Sequence, residues 1–376
     1  MLFNRIAVNV VFFLNGLVYA NWVSRLPRIQ EQFQADNGTI GLVLFAFSLG
    51  ALGAMPLTGW VIIKKGSRLI TLASLIIYCA LIPFIPFMAG IDSLILLYII
   101  MGISTGMLDV AMNAQAVMVE RQYNRPIMTS FHAFFSIGMA LGALCGALFA
   151  NLDVGLSYNL IIVSALSLFF VVWVRRNLIE DKPQIGAVTD GPLFRMPNRA
   201  LLSVGIIAFC CMLGEGAISD WSVNYMERIA MSPTSLAPIA LSAFAAAMTL
   251  GRLFGDRFRA LWGDTKLIMY GGLIASVGLA IALLMPVPFV SITGFFLVGI
   301  GLSTIVPITY SIAGNTKGLP SGVGLAMVTT VGYSGFLFGP AIIGFLADLS
   351  DLRIALVFVA ILLVVMTVLG FTRKQG

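Results

Sequence analysis

Long apolar runs separated by short polar segments fill the chain from Arg5 to Phe371. An α-helix needs about 20 apolar residues to cross the hydrocarbon core of a bilayer, where backbone polar groups must be paired internally. The pattern therefore predicts an all-α membrane protein with twelve spanning helices. We place the first six spans at residues 5–24, 39–63, 69–89, 93–118, 130–150 and 156–174, and the last six at 200–225, 236–254, 266–286, 289–313, 322–346 and 353–371.

Composition supports this assignment and excludes a soluble globular class. Hydrophobic residues make up 59% of the 376 residues and charged residues only 10%, whereas soluble domains carry about 25% charged residues. The first run continues into polar Asn21 without a small-residue cleavage site, so we interpret it as a helix and not as a signal peptide. The cysteines fall inside spans without metal-type spacing, which predicts packing roles and neither a metal nor a cofactor: Cys79, Cys145, Cys210 and Cys211.

The basic residues indicate the topology. With the N-terminus inside, 18 of the 22 Lys and Arg residues lie on the cytoplasmic side of the predicted spans, as the positive-inside rule requires. We expect a multi-pass protein of the bacterial inner (plasma) membrane with both termini in the cytoplasm. Because topology accounts for the net charge of +6, no nucleic-acid partner is needed.

The chain divides into two similar halves. A polar stretch at 175–198 separates six spans from six, which predicts an N-terminal bundle (1–174), a cytoplasmic linker and a C-terminal bundle (199–376). Glycines recur at an offset of 197 residues, and the first and seventh spans share a pattern of a polar residue before glycine followed by a polar residue before tryptophan. The matching positions are Gly102 and Gly299, Gly138 and Gly335, Gly142 and Gly339, Asn15 and Glu215, and Trp22 and Trp221.

Two cytoplasmic loops carry related signatures. The loop after the second span contains Gly59, Gly66 and Arg68, and the loop after the eighth contains Gly251, Arg252, Gly255, Asp256 and Arg257. Both resemble the loop signature of the major facilitator superfamily, although the first has Ile63 where that family usually has an acid. The resemblance covers the whole chain and implies two pseudo-symmetric six-helix bundles, alternating access and a role for these residues in gating.

A narrower resemblance rests on the fourth and tenth spans. Leu108-Asp109-Val110-Ala111-Met112-Asn113 is similar to a Leu-acid-x-Ala-x-Asn element of the fucose-permease-like branch, and the tenth span contains Pro307 at a similar position. In that branch the matching acid is tied to proton coupling. The resemblance therefore implies that Asp109 couples transport to protons.

Intramembrane acids are functional candidates, because a carboxylate at mid-bilayer costs about 2.5–3.5 kcal/mol. Asp109 shares a helix face with Gly102, Gly106 and Asn113, and we expect that face to line a cavity in which the carboxyl group gains and loses a proton. The alternative for Asp109 is a static hydrogen bond between helices. Glu215 is a second candidate for the proton or the substrate.

Two further polar residues have competing interpretations. Asp220 either contacts the solute or pairs with Arg25 or another base near the outer surface. His132, the only histidine in the chain, either relays protons or binds a solute hydroxyl, or it is an ordinary side chain at a helix end.

Amide and aromatic residues at suitable depths are candidates for contacts with a solute, with core packing as the alternative for each. The substrate candidates beyond Asp220 and His132 are Asn15, Tyr19, Asn113, Trp221, Tyr310 and Tyr333. Pro307 predicts a gate hinge because it removes a backbone hydrogen bond in mid-helix. Gly339 and Pro340 add a small-residue motif that suits helix packing or gating, and Trp22 and Trp262 are expected to be interfacial anchors.

These observations predict a secondary active transporter of a small polar, sugar-like solute, coupled to protons. The alternative is a drug-type proton antiporter that exports lipophilic or cationic compounds. A single histidine and scattered acids supply neither a nucleophile with its base nor a metal cluster, so we do not expect an enzyme. The expected partners are the solute, protons and lipid, and the expected state is a monomer.

Overall fold

The structure is a computed structural model that describes residues 1–123, 127–181, 199–314, 316 and 321–372, the side chains at 63, 129, 199, 200, 256, 314, 321–323, 325 and 326 excepted. All regular secondary structure in these ranges is helical. The helices are α1 (Leu2–Ser24), α2 (Leu26–Gln32), α3 (Asn37–Lys65), α4 (Ser67–Leu81) with a 3-10 turn (Ile82–Phe87), α5 (Ile91–Tyr123), α6 (Met128–Asn151), α7 (Leu156–Asn177), α8 (Arg199–Arg228), α9 (Pro238–Leu284), α10 (Pro288–Leu302), α11 (Ile305–Gly314), α12 (Ser321–Leu349) and α13 (Leu352–Thr372).

The prediction of twelve membrane spans is confirmed. Twelve segments of the described helices are long and apolar enough to cross a bilayer. The eighth and ninth spans both lie within α9, as Pro238–Gly255 and Arg257–Leu284. The fourth span runs from Ile91 to Tyr123, longer than the predicted 93–118, because α5 continues as a regular helix into its polar end.

The chain separates into two compact units. Unit 1 contains Met1–Ala35 and Leu42–Asp190, and unit 2 contains Asp36–Gly41 and Gly191–Gly376. Within unit 2, the carboxylate of Asp348 at the end of α12 accepts hydrogen bonds from the backbone N–H groups of Asn37 (2.9 Å) and Gly38 (2.6 Å).

Unit 1 is organised around α1, which is the most buried of its membrane helices. Its main neighbour is α6, and glycines bring the two backbones together. A Cβ atom on Gly138 or Gly142 would fall on the carbonyl oxygen of Phe13 or Leu17. Small residues one turn apart permit this approach, so the α6 glycines serve helix packing.

Unit 2 repeats this use of small residues. Gly335 on α12 lies against the backbone of Phe209 on α8. Elsewhere in the unit, α9 and α10 approach each other at Gly278 and Gly294. Close backbone contact of this kind favours van der Waals packing between helices in lipid.

The tenth span is interrupted. Helix α10 ends at Leu302 and α11 begins at Ile305, so the break lies at Ser303 and Thr304 and not at Pro307 itself. The position follows from proline chemistry, because Pro307 has no N–H and its ring displaces the carbonyl group four residues earlier, that of Ser303. The interruption therefore lies in the turn before Pro307, and the gate hinge stays a prediction.

Candidate functional site

Asp109 and Asn113 form the polar centre of α5. The Asn113 side-chain amide donates to the Asp109 backbone oxygen (2.8 Å) and to its carboxylate Oδ1 (3.3 Å). Both side chains are half-buried. No Lys or Arg side chain of the described residues lies within ion-pair distance of the Asp109 carboxylate. Asp109 is therefore an acid within a membrane span whose described side-chain partner is the amide of Asn113.

The expectation that the whole face of Asp109 lines a cavity is wrong at its glycines. Gly102 and Gly106 lie against the backbone of α3, where a Cβ atom would fall on the carbonyl oxygens of Phe47 and Ala51. Because glycine has no side chain, a helix face of glycines can pack against a neighbouring backbone as well as line a cavity for a solute. Only the part of the face that carries Asp109 and Asn113 stays partly exposed.

The other unit 1 candidates lie within side-chain packing. Asn15 is buried, with its amide nitrogen 3.9 Å from the sulfur of Met112, next to Asn113. The Tyr19 ring meets Trp22 edge-on, with 5.5 Å between centroids. His132 is half-buried, and its ring meets Phe12 edge-on at 5.2 Å.

Two polar contacts in unit 1 were not predicted. Trp22 is fully buried and donates from Nε1 to the Tyr78 hydroxyl at 3.0 Å, so its assignment as an interfacial anchor is wrong. Asn159 donates to the side-chain oxygen of Asn21 at 2.9 Å. The presence of Asn21 in an apolar helix could have indicated the second contact, because buried side-chain amides are nearly always hydrogen-bonded. In contrast, Trp262 is 46% exposed, as an interfacial residue would be.

Unit 2 pairs two residues that the sequence had placed in different roles. Arg252 on α9 donates from Nη2 to Oε1 of Glu215 on α8 at 3.2 Å, and the two side chains are 15% and 17% exposed. Each charge compensates the other in a setting where an isolated ion would be costly.

Asp220 and Trp221 follow five and six residues after Glu215 on α8, and both are buried. The indole N–H of Trp221 has no hydrogen-bond acceptor within the described part of the chain. Its counterpart in the first half, Trp22, has one in Tyr78. An unpaired buried donor is uncommon and requires an explanation.

The two tyrosine candidates lie on helices of unit 2. Tyr310 on α11 packs against an apolar cluster that includes Leu201 and Val328. The Tyr333 ring on α12 lies 6.3 Å from that of Phe336. Both are half-buried.

Two glycines among the candidate gating residues of the second half lie beside the break in the tenth span. Gly251 and Gly255 on α9 face Ser303 and Thr304. Arg257 is exposed, and the side chain of Asp256 is outside the described positions. A neighbouring arginine makes the ion pair of this loop, since Arg259 binds both carboxylate oxygens of Asp264 at 2.6 and 3.1 Å.

The first-half loop differs in detail. A Cβ atom on Gly59 would have no neighbour within 4 Å, whereas Gly66 adopts a positive φ of 82°. Arg68 donates to the backbone oxygen of Arg175 at 2.8 Å. In unit 2, Gly339 lies against Leu213, and the backbone oxygen of Pro340 lies beside Gly41.

No cluster of three or more His, Cys, Asp or Glu side chains suited to a metal ion occurs among the described residues. Among the described residues, unit 1 contains the acid Asp109 with its Asn113 hydrogen bond. Unit 2 contains the Glu215–Arg252 ion pair and the Trp221 indole N–H, which is one of several buried polar groups without a hydrogen-bond partner.

Comparison with known proteins adds the family context. The family model described as Major Facilitator Superfamily matches residues 8–320. An uncharacterized MFS-type transporter of Yersinia pestis is 35% identical over 361 residues, covering 96% of this chain and 93% of that protein. The membrane protein MosC of Rhizobium meliloti is 31% identical, covering 94% and 86%. A crystal structure of a variant of the nucleoside transporter NupG superposes with a TM-score of 0.79 at 15% identity, over 99% of this chain and 100% of that one.

Proposed function

Because the chain belongs to the major facilitator superfamily, we propose that it is a proton-coupled transporter of a small polar, sugar-like solute. The family and the fold establish an integral multi-pass membrane transporter, and they point to transport and not to catalysis. The finer assignment to the fucose-permease-like branch rests on the Asp109 and Pro307 elements of the sequence and is part of the proposal. We also propose a monomer.

The state of Asp109 carries the proposal of proton coupling. A coupling group has to change protonation at neutral pH, and an acid that is held by a permanent positive charge does so poorly. Glu215 has Arg252 at 3.2 Å, whereas the only described hydrogen bond to the Asp109 carboxylate comes from Asn113. We therefore assign proton exchange to Asp109 and a supporting role to Glu215.

Two hydrogen-bond donors support the proposal of a polar solute, namely the indole N–H of Trp221 and the side-chain amide of Asn113. The buried indole N–H of Trp221 would gain an acceptor from a hydroxyl or carbonyl oxygen of a solute. In the described part of the chain, the half-buried Asn113 amide donates only to Asp109, one turn earlier on the same helix. NupG is named a nucleoside transporter, and nucleosides, which contain a sugar ring, belong in the test panel.

The solute class is tested by a thermal-shift screen of the detergent-purified protein against sugars, sugar acids, amino acids, nucleosides and lipophilic cationic drugs. A ligand that binds the folded state raises its apparent stability by mass action. A polar hit supports the proposal. Stabilisation by lipophilic cations alone would reject it and favour a drug-type antiporter.

Proton coupling is tested in proteoliposomes with the polar hit. Asp109→Asn should abolish accumulation driven by a pH gradient and leave exchange of labelled for unlabelled solute intact. Asp92→Asn is the matched control, because Asp92 lies on the same helix in its exposed first turn. Uphill accumulation by Asp109→Asn at the wild-type rate would remove Asp109 from coupling.

The proposed location is the inner membrane with both termini in the cytoplasm, which follows from the placement of 18 of 22 basic residues. Single cysteines introduced at 182–198, in a variant without the four native ones, should resist membrane-impermeant thiol reagents in intact cells. Permeabilised cells provide the labelling control. Equal labelling in intact and permeabilised cells would contradict this topology.

A further inference from the structure

Glu215 is the one accessible point in a buried stretch of α8. From Cys210 to Met226 every residue except Glu215 is buried, and the Glu215 side chain is 17% exposed. Glu215 also lies halfway along the span Leu201–Arg228. A carboxylate that faces lipid at this depth would be costly, so acids within a span face the interior of the protein or a water-filled cavity. An opening of unit 2 therefore reaches the Glu215 carboxylate.

The break in the tenth span lies close to this carboxylate and to its partner. One turn before Glu215 on α8, the Cys211 thiol donates to the Leu302 backbone oxygen at 3.6 Å. On α9, the glycine before Arg252 lies against Ser303. Interrupted backbone at membrane depth is tolerated where it is buried in protein or lines a water-filled cavity, and in transporters such interruptions lie at solute sites. The break and the accessible carboxylate together indicate a polar cavity within unit 2.

The ion pair uses only part of its hydrogen-bonding capacity. One guanidinium nitrogen of Arg252, Nη2, bonds to one carboxylate oxygen of Glu215, Oε1, at 3.2 Å. Within the described part of the chain the second oxygen, Oε2, accepts no hydrogen bond, although each carboxylate oxygen can accept two. Another ion pair of unit 2 differs, because Arg259 binds both oxygens of Asp264. Glu215 thus keeps an acceptor for a molecule that enters the opening.

We propose that Glu215 and Arg252 bind two neighbouring hydroxyl groups of the solute and select an uncharged sugar. One hydroxyl donates to Oε2 of Glu215, and its neighbour accepts from the guanidinium of Arg252. Hydrogen bonds to charged groups are stronger than those between neutral groups. Because the pair has no net charge, a solute carboxylate would meet the like charge of Glu215, and a solute amine that of Arg252. This inference rests on the proposed transport of a polar solute, and it narrows the class of that solute.

The test compares sugars that differ in charge. Glucose, galactose and mannose are each compared with the corresponding uronic acid and 2-amino sugar, in titrations of the detergent-purified protein that are followed by thermal unfolding. In at least one of these sets, the uncharged sugar should bind the wild type about tenfold more tightly than either charged member. Equal or tighter binding of an acid or an amine, or no binding in any set, would overturn the inference.

These failures differ from a failure of the proposed function. If another polar compound of the wider screen binds, the proposal of a polar solute stands while the role of Glu215 and Arg252 as a sugar-selecting pair is rejected. If lipophilic cations alone bind, both are rejected.

Substitutions of the pair should change the preference in opposite directions. Glu215→Gln leaves the charge of Arg252 uncompensated, so it should weaken binding of the uncharged sugar about tenfold and favour the uronic acid. Arg252→Gln leaves the charge of Glu215 uncompensated and should favour the amino sugar. A pair that only stabilises the fold would change the unfolding temperature without changing the order of the three ligands, and that result would overturn the inference.

Asp264→Asn is the matched control, because it also breaks an ion pair of unit 2. Its ligand preferences should equal those of the wild type, and a change as large as that of Glu215→Gln would contradict the proposed role. If a single substitution of the pair prevents folding, the double variant of Glu215→Gln with Arg252→Gln leaves no uncompensated charge. The double variant should bind all members of a set weakly and equally. A wild-type preference for the uncharged sugar in the double variant would overturn the inference.

Discussion

A Cβ atom on Gly251 would fall on the hydroxyl oxygen of Ser303. One turn further along α9, a Cβ atom on Gly255 would clash with the side chain of Thr304. Ser303 and Thr304 are the two residues at which the tenth span breaks. The glycines of the second loop signature therefore have a physical role, because they make room for the break that Pro307 causes.

Gly251→Ala should destabilise the protein by about 1–3 kcal/mol, the usual cost of inserting atoms into a packed contact. Gly59→Ala is the control, since Gly59 is also a helical glycine of a loop signature and a Cβ atom there would have no neighbour within 4 Å. That change should be neutral or stabilising by about 0.5–1 kcal/mol, the helix preference for alanine. Unfolding in detergent measures both, and Ser303→Gly should relieve the effect of Gly251→Ala. Equal losses at the two glycines would contradict this account.

The tryptophans of the two halves predict opposite effects of one substitution. Trp22→Phe leaves the buried Tyr78 hydroxyl without its indole donor, whereas Trp221→Phe removes a donor that has no acceptor among the described residues. Both changes delete the same ring atoms, so the difference between them reports the hydrogen bond. We expect Trp22→Phe to cost about 1–3 kcal/mol more than Trp221→Phe in thermal unfolding without solute.

The two tryptophans should also differ in how they affect the thermal shift caused by the polar solute. Trp221→Phe should weaken the solute-induced thermal shift, and Trp22→Phe should leave it unchanged. A solute-induced shift that survives Trp221→Phe at full size would show that the indole N–H does not bind the solute.

The Glu215–Arg252 pair predicts strong coupling between two substitutions. Removal of one partner leaves the other charge buried and uncompensated, which costs roughly 3–5 kcal/mol for a buried pair. Glu215→Gln and Arg252→Gln should each destabilise the protein, and the double variant should lose much less than the sum. A double-mutant cycle of unfolding free energies measures the coupling. Additive losses would indicate that the 3.2 Å contact contributes little.

The sequence predicted the helices far better than their contacts. Span number follows from the lengths of apolar runs, which depend on bilayer thickness alone. A pairing such as Glu215 with Arg252 depends on how α8 and α9 are rotated, and periodicity does not give that rotation. Gly102 and Gly106 illustrate the same limit, because a small-residue face suits a cavity or a packed helix equally well. The hydrogen bond from the Ser67 N–H to the carboxylate of Asp181 could not be predicted either, since nothing local marks a partner 114 positions away.

We expect the stability of the protein to depend on pH through the carboxyl group of Asp36, which lies just before α3. Hydrogen bonds from the side chain and the backbone N–H of Thr39 hold the pKa of the Asp36 carboxyl below its ordinary value of 3.8. A folded-state pKa below the unfolded value stabilises the fold above the unfolded pKa, and this contribution is lost as the pH falls through the folded pKa. Wild type should therefore be more stable than Asp36→Asn at neutral pH, and the difference should shrink below about pH 4. Because Asp36 is exposed, the effect is small and is best measured as a difference in unfolding midpoints across that range. Thr39→Ala keeps the backbone donor and should remove only part of the difference, whereas a difference that grows on acidification would contradict the assignment.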